Sequence, residues 1–202
     1  MKKFLWLAVA GLFVSGSASG LTVLQLNLEQ LTALSEKVFV GRCVSIDADA
    51  DFKGQRVQKV TFDVIDTLKG EPSKTVTFRQ LGTVDGGEDF GMKEGVKIQG
   101  LERDLPQYQV GEEAIVFLSA AGDSGITAPV GLAQGKFAVT DKAGLKTVAN
   151  GAGNRGLFIG ADKSPRLKTM SLTAADRKMM SVNGGELPYS DFISLVKKLA
   201  SQ

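Results

Sequence analysis

The amino-acid sequence predicts a mostly β fold, a small closed barrel with short N- and C-terminal helices. Short runs of alternating apolar and polar residues, the pattern of half-buried strands, recur through the middle of the chain. Glycines, 24 in 202 residues, separate many of these runs at positions where turns are expected. Helical spacing of apolar residues is found mainly near the two ends. Short strands joined by tight turns, with helices outside them, are typical of a barrel or a β-sandwich.

The first 20 residues have the organisation of a cleavable secretory signal peptide. Lys2 and Lys3 supply a positive charge, residues 4–14 are uniformly apolar, and residues 15–20 are small. An apolar run of this length is too short to span a bilayer as a helix, which takes roughly 20 residues. We therefore expect cleavage near residues 18–20 and a periplasmic or secreted protein, with no membrane insertion of the mature chain.

The composition restricts the function. The chain has 24 Lys and Arg against 22 Asp and Glu, and cleavage would remove two lysines, leaving 22 against 22. A neutral chain gains little from counterion release, so nucleic acid is not an expected partner. The chain has one cysteine, Cys43, and no histidine. A single cysteine cannot form an internal disulfide. Without histidine, the chain lacks Ser-His-Asp and Cys-His nucleophiles and histidine zinc sites, so we expect no catalytic residue, metal or cofactor.

The first half of the mature chain predicts one helix and three strands. Asn27 is a suitable N-cap for a helix with apolar positions at Leu28, Leu31 and Leu34. An acidic turn is expected over 47–54 and a second turn at 69–72. The strands around these turns are predicted over 38–47, 56–68 and 75–81.

The second half begins with a glycine-rich segment over 82–111 that has little periodicity. A segment of this length inside a compact domain is unusual and often functional. Strands are then predicted over 114–118, 126–132, 136–140 and 145–148. A long strand pair followed by a wide excursion before the strand 114–118 is what an OB-like barrel shows, and a β-sandwich is the alternative.

Three domains follow from this pattern: a signal peptide over 1–20, a β-barrel domain over 21–149, and an irregular C-terminal extension over 150–202. A helix is expected over 171–182 in the extension, which ends in an amphipathic helix. The apolar stripe of that final helix consists of Phe192, Leu195, Val196 and Leu199.

Several short motifs resemble functional sites but each lacks a necessary part. Residues 122–125, Gly-Asp-Ser-Gly, match a serine-protease signature without a histidine base, which favours a simple turn. Residues 131–136 resemble a phosphate-binding loop but are one residue short. A calcium loop needs Gly and Glu at two positions where this chain has Phe52 and Gln58, which favours a solvated acidic turn at Asp47, Asp49 and Asp51. Solvated charges are also expected at Glu102, Asp104, Glu112 and Glu113.

Two resemblances concern the whole barrel region. The succession LTALSEKVFVGRCVSID, VTFDVIDTLKG, TVTFRQLG, VGEEAIVFLS and VGLAQGKFAV is similar to a family of uncharacterised exported bacterial proteins. The strand order and the VGR and LKG segments also resemble, distantly, the netrin-like domain of tissue inhibitors of metalloproteinases. This resemblance implies an OB-type barrel. Those inhibitors chelate the protease zinc through an N-terminal cysteine, whereas this chain has only Cys43, so no functional residue is transferred.

The sequence therefore predicts an exported, non-enzymatic binding or interaction module whose partner is another exported or envelope protein. The expected contact surface lies in the segment 82–111 and at the barrel corner beside it. Its candidate residues are Asp85, Glu88, Phe90, Met92, Lys97, Gln134 and Lys136. Two alternatives stay open. One is an inhibitor or companion of a secreted (metallo)protease, which the netrin-like similarity suggests, and the other is an enzyme of unfamiliar type that uses Ser, Lys or carboxylate groups.

Overall fold

The computed structural model describes residues 24–82 and 105–201. In these ranges the chain forms one antiparallel seven-stranded sheet, curled into a half-barrel, and a few short helices, which confirms a mostly β fold. The strand order is β3-β2-β1-β4-β5-β6-β7. The strands are β1 (Lys37–Phe52), β2 (Gln55–Lys69), β3 (Thr75–Leu81), β4 (Glu113–Leu118), β5 (Lys136–Lys142), β6 (Leu145–Asn150) and β7 (Leu187–Pro188). The α-helices are α1 (Leu28–Leu34), α2 (Pro165–Thr169), α3 (Ala174–Met180) and α4 (Tyr189–Ala200).

The hairpin of β1 and β2 is longer than the sequence pattern predicts. β1 continues to Phe52, which pairs with Gln55, so the turn contains only Lys53 and Gly54. Both turn residues have positive φ, 52° and 77°, as the favoured two-residue hairpin turn requires. The prediction of an acidic turn over 47–54 is therefore wrong, because the three aspartates lie within a paired strand. Register shifts along β1 mark bulges that bend the strand and help the sheet to curl.

Each face of the sheet carries an apolar cluster. The aromatic cluster lies on one face, and its rings meet edge to face: Phe62 lies 5.5 Å from Phe39 and 5.6 Å from Tyr108 between ring centroids. It consists of Phe39, Cys43, Val60, Phe62, Val76, Phe78, Tyr108, Ala114, Val116 and Leu118. Since neighbouring residues of a strand point to opposite faces, β4 supplies Ala114 and Val116 to this cluster and Ile115 and Phe117 to the other.

The helices cover the second apolar cluster, which we call the helix-side cluster. α4 buries Phe192, Leu195, Val196 and Leu199, the stripe that its sequence predicts. Phe192 packs on Phe137 of β5 with 4.7 Å between ring centroids. No helix in the described ranges is long and apolar enough to cross a lipid bilayer.

A lysine on β2 fixes the C-terminal end of α1 to the sheet. Lys69 Nζ donates to the carbonyl oxygens of Thr32, Ala33 and Ser35 at 2.7, 3.2 and 2.6 Å. These are carbonyls that a helix end or its flanking residues leave without an intrahelical partner, so the ammonium group satisfies them directly.

The segment between β4 and β5 differs from its predicted form. A strand was expected over 126–132, but the chain makes only two isolated bridges there, Arg79 with Ile126 and Leu118 with Pro129. Pro129 has no N–H to donate, and Gly131 adopts a left-handed conformation with φ 66°, so a continuous ladder cannot form. The prediction of a strand over 126–132 is wrong.

The C-terminal part contributes to the same sheet and core. β7 pairs with β6, where Val148 faces Leu187, and α4 follows directly. In place of a helix over 171–182, α3 spans Ala174–Met180 and begins with a capping box between Thr173 and Asp176. Lys198 of α4 bonds Asp176 at 2.5 Å and so joins the two helices.

Candidate functional site

A groove of about 250 Å³ lies on the aromatic-cluster side of the sheet, where β5 and β6 extend beyond the cluster. Its floor contains Ala138, which is paired with Ala149 across the two strands. Its wall is the segment 105–107, and Ala133, Asn150 at the end of β6, and Gly151 complete it. We call it the Lys136 groove, since Lys136 lies between the floor and the wall.

The alternation of side chains along β5 and β6 explains the Lys136 groove. Phe137 and Val148 point into the helix-side cluster, so Lys136, Ala138 and Ala149 point to the opposite face. Two alanines side by side place only methyl groups above the backbone, and the surface is lower there than along the rest of the strands. The groove is thus a direct consequence of the sequence of β5 and β6.

Lys136 holds the wall of the groove in place. Its Nζ donates to the carbonyl oxygen of Gln107 and forms an ion pair with Glu112 Oε1 at 2.7 Å. The same ammonium lies 4.7 Å from the centroid of the Tyr108 ring, a cation–π contact. The side chain of Lys136 is only 12% exposed, so these contacts are shielded from solvent. The groove is therefore formed before any ligand binds.

The polar groups beneath Lys136 stay protonated at neutral pH. Burial first and Glu112 second raise the pKa of the Cys43 thiol to about 11, against smaller opposing effects of Lys136 and of the bond to the Ser45 carbonyl. Burial also raises the pKa of Tyr108 well above its ordinary value, with added contributions from Glu112 and Cys43. Since a thiolate and not a thiol is the nucleophile, Cys43 is unsuited to catalysis here.

Gln80 attaches the wall to the sheet from the other side. Its side chain is fully buried, and its Nε2 donates to the carbonyl oxygen of Pro106 at 3.0 Å. The wall is thus fastened at Pro106 by a β3 side chain and at Gln107 by a β5 side chain. Sequence reasoning did not identify Gln80, Ala138 or Ala149, because nothing in a single strand shows which residues will flank a groove.

The predicted contact residues fall in three places. Lys136 lines the groove. Gln134 lies under the N-terminal segment: its Oε1 accepts from Leu26 N at 3.0 Å, its Nε2 donates to Leu24 O at 3.0 Å, and it is 8% exposed. Five residues lie outside the described residues, namely Asp85, Glu88, Phe90, Met92 and Lys97.

Two of the three aspartates of β1, Asp47 and Asp49, have partners on the sheet. The Ala50 N–H and then Arg79 lower the pKa of Asp49, whose Oδ2 lies 2.5 Å from Arg79 Nε. Asp47 accepts from the Ser45 hydroxyl at 3.0 Å. Within the described residues there is no group of three or more Cys, Asp or Glu side chains that could hold a metal ion.

The serine of the Gly-Asp-Ser-Gly motif stabilises a turn. Ser124 Oγ accepts from Ile126 N at 3.3 Å, and Gly125 has φ 71°. Glu113 forms ion pairs with Lys146 at 2.9 Å and Arg42 at 3.7 Å, on the helix side. These groups have structural partners, while Glu102 and Asp104 lie outside the described residues.

Comparison with known proteins adds no relative. No protein-family model matches this chain, and no curated protein matches it. The function is therefore inferred from the residues and their geometry.

Proposed function

We propose that this chain is an exported, non-enzymatic binding module that holds a segment of another exported or envelope protein in the Lys136 groove. The observation that carries the proposal is the fixed wall of that groove. Gln80 and Lys136 hold the segment 105–107 at two of its carbonyl oxygens, those of Pro106 and Gln107, so binding does not need to order the segment. A site formed in advance avoids part of the entropy cost of association.

The shape of the groove favours an extended peptide segment. A floor of alanine methyl groups allows the backbone of a partner to approach the sheet closely. A volume of about 250 Å³ has room for one or two side chains of modest size. The apolar floor lies beside the polar side chains of Gln107, Lys136 and Asn150, which suits alternating apolar and polar side chains, the pattern of an extended strand.

Within residues 24–82 and 105–201, the candidate catalytic side chains are engaged in structural contacts, which supports binding over chemistry. The chain has no histidine. The Cys43 thiol, with a pKa of about 11, is neutral, and the Ser124 hydroxyl accepts a backbone N–H within a turn. Glu112 forms an ion pair with Lys136 and Glu113 forms one with Lys146, so both carboxylates already have structural partners.

We further infer that residues 126–129 close the half-barrel into a barrel of OB-like type. Thr127 N donates to Arg79 O of β3 at 2.8 Å, while Ser119 N donates to Ala128 O at 3.1 Å beside β4. The same short segment thus joins the outer strand β3 to β4. Slow hydrogen exchange of the Thr127 amide supports closure, and exchange as fast as in the turn 122–125 argues against it.

A photo-crosslinking amino acid tests the binding site. It replaces Ala138 on the exposed part of the groove floor, and in a matched control it replaces Ala121, which is exposed outside the groove. We expect one exported or envelope protein to crosslink at position 138 and not at position 121, in cells that export the chain. Crosslinks that are the same at both positions, or none at position 138, contradict the proposal.

Export itself is tested by N-terminal sequencing. Protein recovered from the periplasm or the medium should begin directly after residues 18–20. Recovery of the chain with Met1 still attached contradicts this part of the proposal.

A further inference from the structure

A second and larger groove lies among the C-terminal helices. It has a volume of about 540 Å³ and is bounded by α2, α3 and the turn 158–162. Its apolar residues are Phe158, Ala161, Leu167, Met170, Leu172 and Met180. We call it the methionine groove, after the two methionines that line it. Its size is within the range of small-molecule sites, roughly 300–1,000 Å³.

The walls of the methionine groove are held by caps and by an ion pair. The Ser164 hydroxyl accepts from Leu167 N at 3.2 Å and starts α2. Asp176, which is 1% exposed, forms the capping box of α3 with Thr173 and bonds Lys198 of α4 at 2.5 Å. Leu167 and Met170 are buried in the helix-side cluster. These contacts hold the walls of the groove in place.

A small pocket of about 10 Å³ adjoins the methionine groove and shares Phe158, Ala161, Leu167 and Met180 with it. Its other residues are Leu28, Leu157, Leu195 and Leu199, together with Asn27 and Glu29. Met180 is half-buried and lines both, and a methionine side chain adapts readily to a new apolar neighbour. An aliphatic chain in the groove can therefore lie against Met180.

The charges at the methionine groove favour an anion at its exposed edge. Lys168 and Arg177 line it against a single carboxylate, Asp162, and all three are exposed. Arg177 donates from Nη2 to the Leu172 carbonyl at 3.2 Å, which places the guanidinium beside the apolar lining. A planar guanidinium with five donors matches a carboxylate in a bidentate manner.

We propose that the methionine groove binds a single-chain amphiphile with a carboxylate head, a molecule of fatty-acid type. The aliphatic chain lies along Phe158 and Met180, and the carboxylate lies against Arg177 and Lys168. The net charge of one positive unit matches one carboxylate. This site is separate from the Lys136 groove and does not depend on the function proposed for it.

Isothermal titration of the purified exported protein tests this proposal. Dodecanoate below its critical micelle concentration should bind saturably at one site. It should bind at least about tenfold more tightly than dodecyltrimethylammonium, which has the same chain and a positive head, a difference of about 1.4 kcal/mol. Arg177→Gln should weaken dodecanoate binding about tenfold, whereas Lys178→Gln, the same charge change at an exposed neighbour on α3 outside the groove, should leave it unchanged.

Four results overturn the proposal. They are no saturable dodecanoate binding up to about 1 mM, equal binding of the cationic amphiphile, equal effects of the two variants, and tighter binding of dodecyl phosphate than of dodecanoate. A fifth result concerns a second copy of the chain as the occupant of the groove, which sedimentation at increasing protein concentration tests. If the protein forms a dimer that dodecanoate does not dissociate but a polar substitution at Met180 does, a second copy covers the groove and the proposal is overturned.

Discussion

Replacing Gln134 with leucine tests how the N-terminal segment is attached to the sheet. Gln134 Oε1 accepts from the buried Leu26 N at 3.0 Å and from Gln25 Nε2 at 3.1 Å, and its Nε2 donates to Leu24 O at 3.0 Å. A single side chain thus supplies hydrogen bonds to three residues that precede α1, as a neighbouring strand would. Leucine has a similar size but offers no hydrogen bond, so the substitution removes all three bonds with little change in volume.

The magnitude follows from which partners stay buried. Leu26 is 8% exposed, so its N–H loses its acceptor without gaining water, at a cost of about 1–3 kcal/mol. The bonds to Leu24 and Gln25 are partly buried, and water replaces them at a cost of about 0.5 kcal/mol each. We expect a total loss of about 2–4 kcal/mol, which lowers Tm by about 4–16 °C in a protein of this size.

Thermal unfolding and hydrogen exchange measure the effect. Gln134→Leu should lower Tm and increase the exchange rate of the Leu26 amide, while Gln109→Leu, at an exposed position, should change Tm by no more than about 1–2 °C. Equal Tm values for the two variants would refute the structural role of Gln134. A variant that keeps its Tm but loses partner crosslinking would instead show that Gln134 contacts the partner, as its place in the predicted contact surface implies.

Three further predictions concern charged and titratable groups. Lys69→Met should destabilise the protein by about 1.5–3 kcal/mol in urea unfolding, because three carbonyl oxygens at the end of α1 lose a charged donor. The control Lys74→Met, at an exposed site, should have little effect on the free energy of unfolding. Burial alone would raise the pKa of Asp176, but bonds from Lys198 and Thr173 outweigh it and lower the pKa. The ionised carboxylate therefore stabilises the fold at neutral pH. This contribution is lost as the pH falls below the ordinary Asp pKa and then through the lower pKa of the folded state. In urea unfolding, the free energies of unfolding of wild type and Asp176→Asn should therefore differ at pH 7 and converge in acid. Because the pKa of Cys43 is about 11 and the thiol is buried, Ellman's reagent at pH 8 should label it only after unfolding, and rapid labelling of the native protein would contradict its burial.

The elements that the sequence predicts well are those in which local pattern and burial agree. The apolar stripe of α4 repeats at helical spacing and all four of its residues are buried. β2 alternates in sequence, and Val60 and Phe62 lie in the aromatic cluster as alternation requires. In both cases the residues that set the local structure also make the core.

The prediction fails where pairing decides the structure against local preference. Residues 47–51 alternate Asp and Ala, which are both depleted in strands, and most of them are exposed. They are extended because β2 runs alongside as far as Gln55, and because Arg79 of β3 compensates the charge of Asp49. A partner strand and an arginine that is distant in sequence are not visible in the segment itself.

The Lys136 groove shows the same division between local and tertiary causes. Alternation in β5 assigns Phe137 and Lys136 to opposite faces, which the sequence alone indicates. The wall depends on bonds from Lys136 to Gln107 and from Gln80 to Pro106, across 29 and 26 positions of sequence. No periodicity links such positions, so the groove could not be predicted although one of its residues was.

The site and the core are fixed by the same register. Phe137 packs on Phe117 and Phe192 in the helix-side cluster, with centroid distances of 5.4 and 4.7 Å. A slip of one residue in the pairing of β4 and β5 would move Phe137 to the groove face and would turn Lys136 and Ala138 towards the helix-side cluster, under α4. Since burying a lysine without its partners costs several kcal/mol, the aromatic packing on the helix side excludes this register. The position of Lys136 beside the groove is therefore set by the hydrophobic core on the opposite face of the sheet.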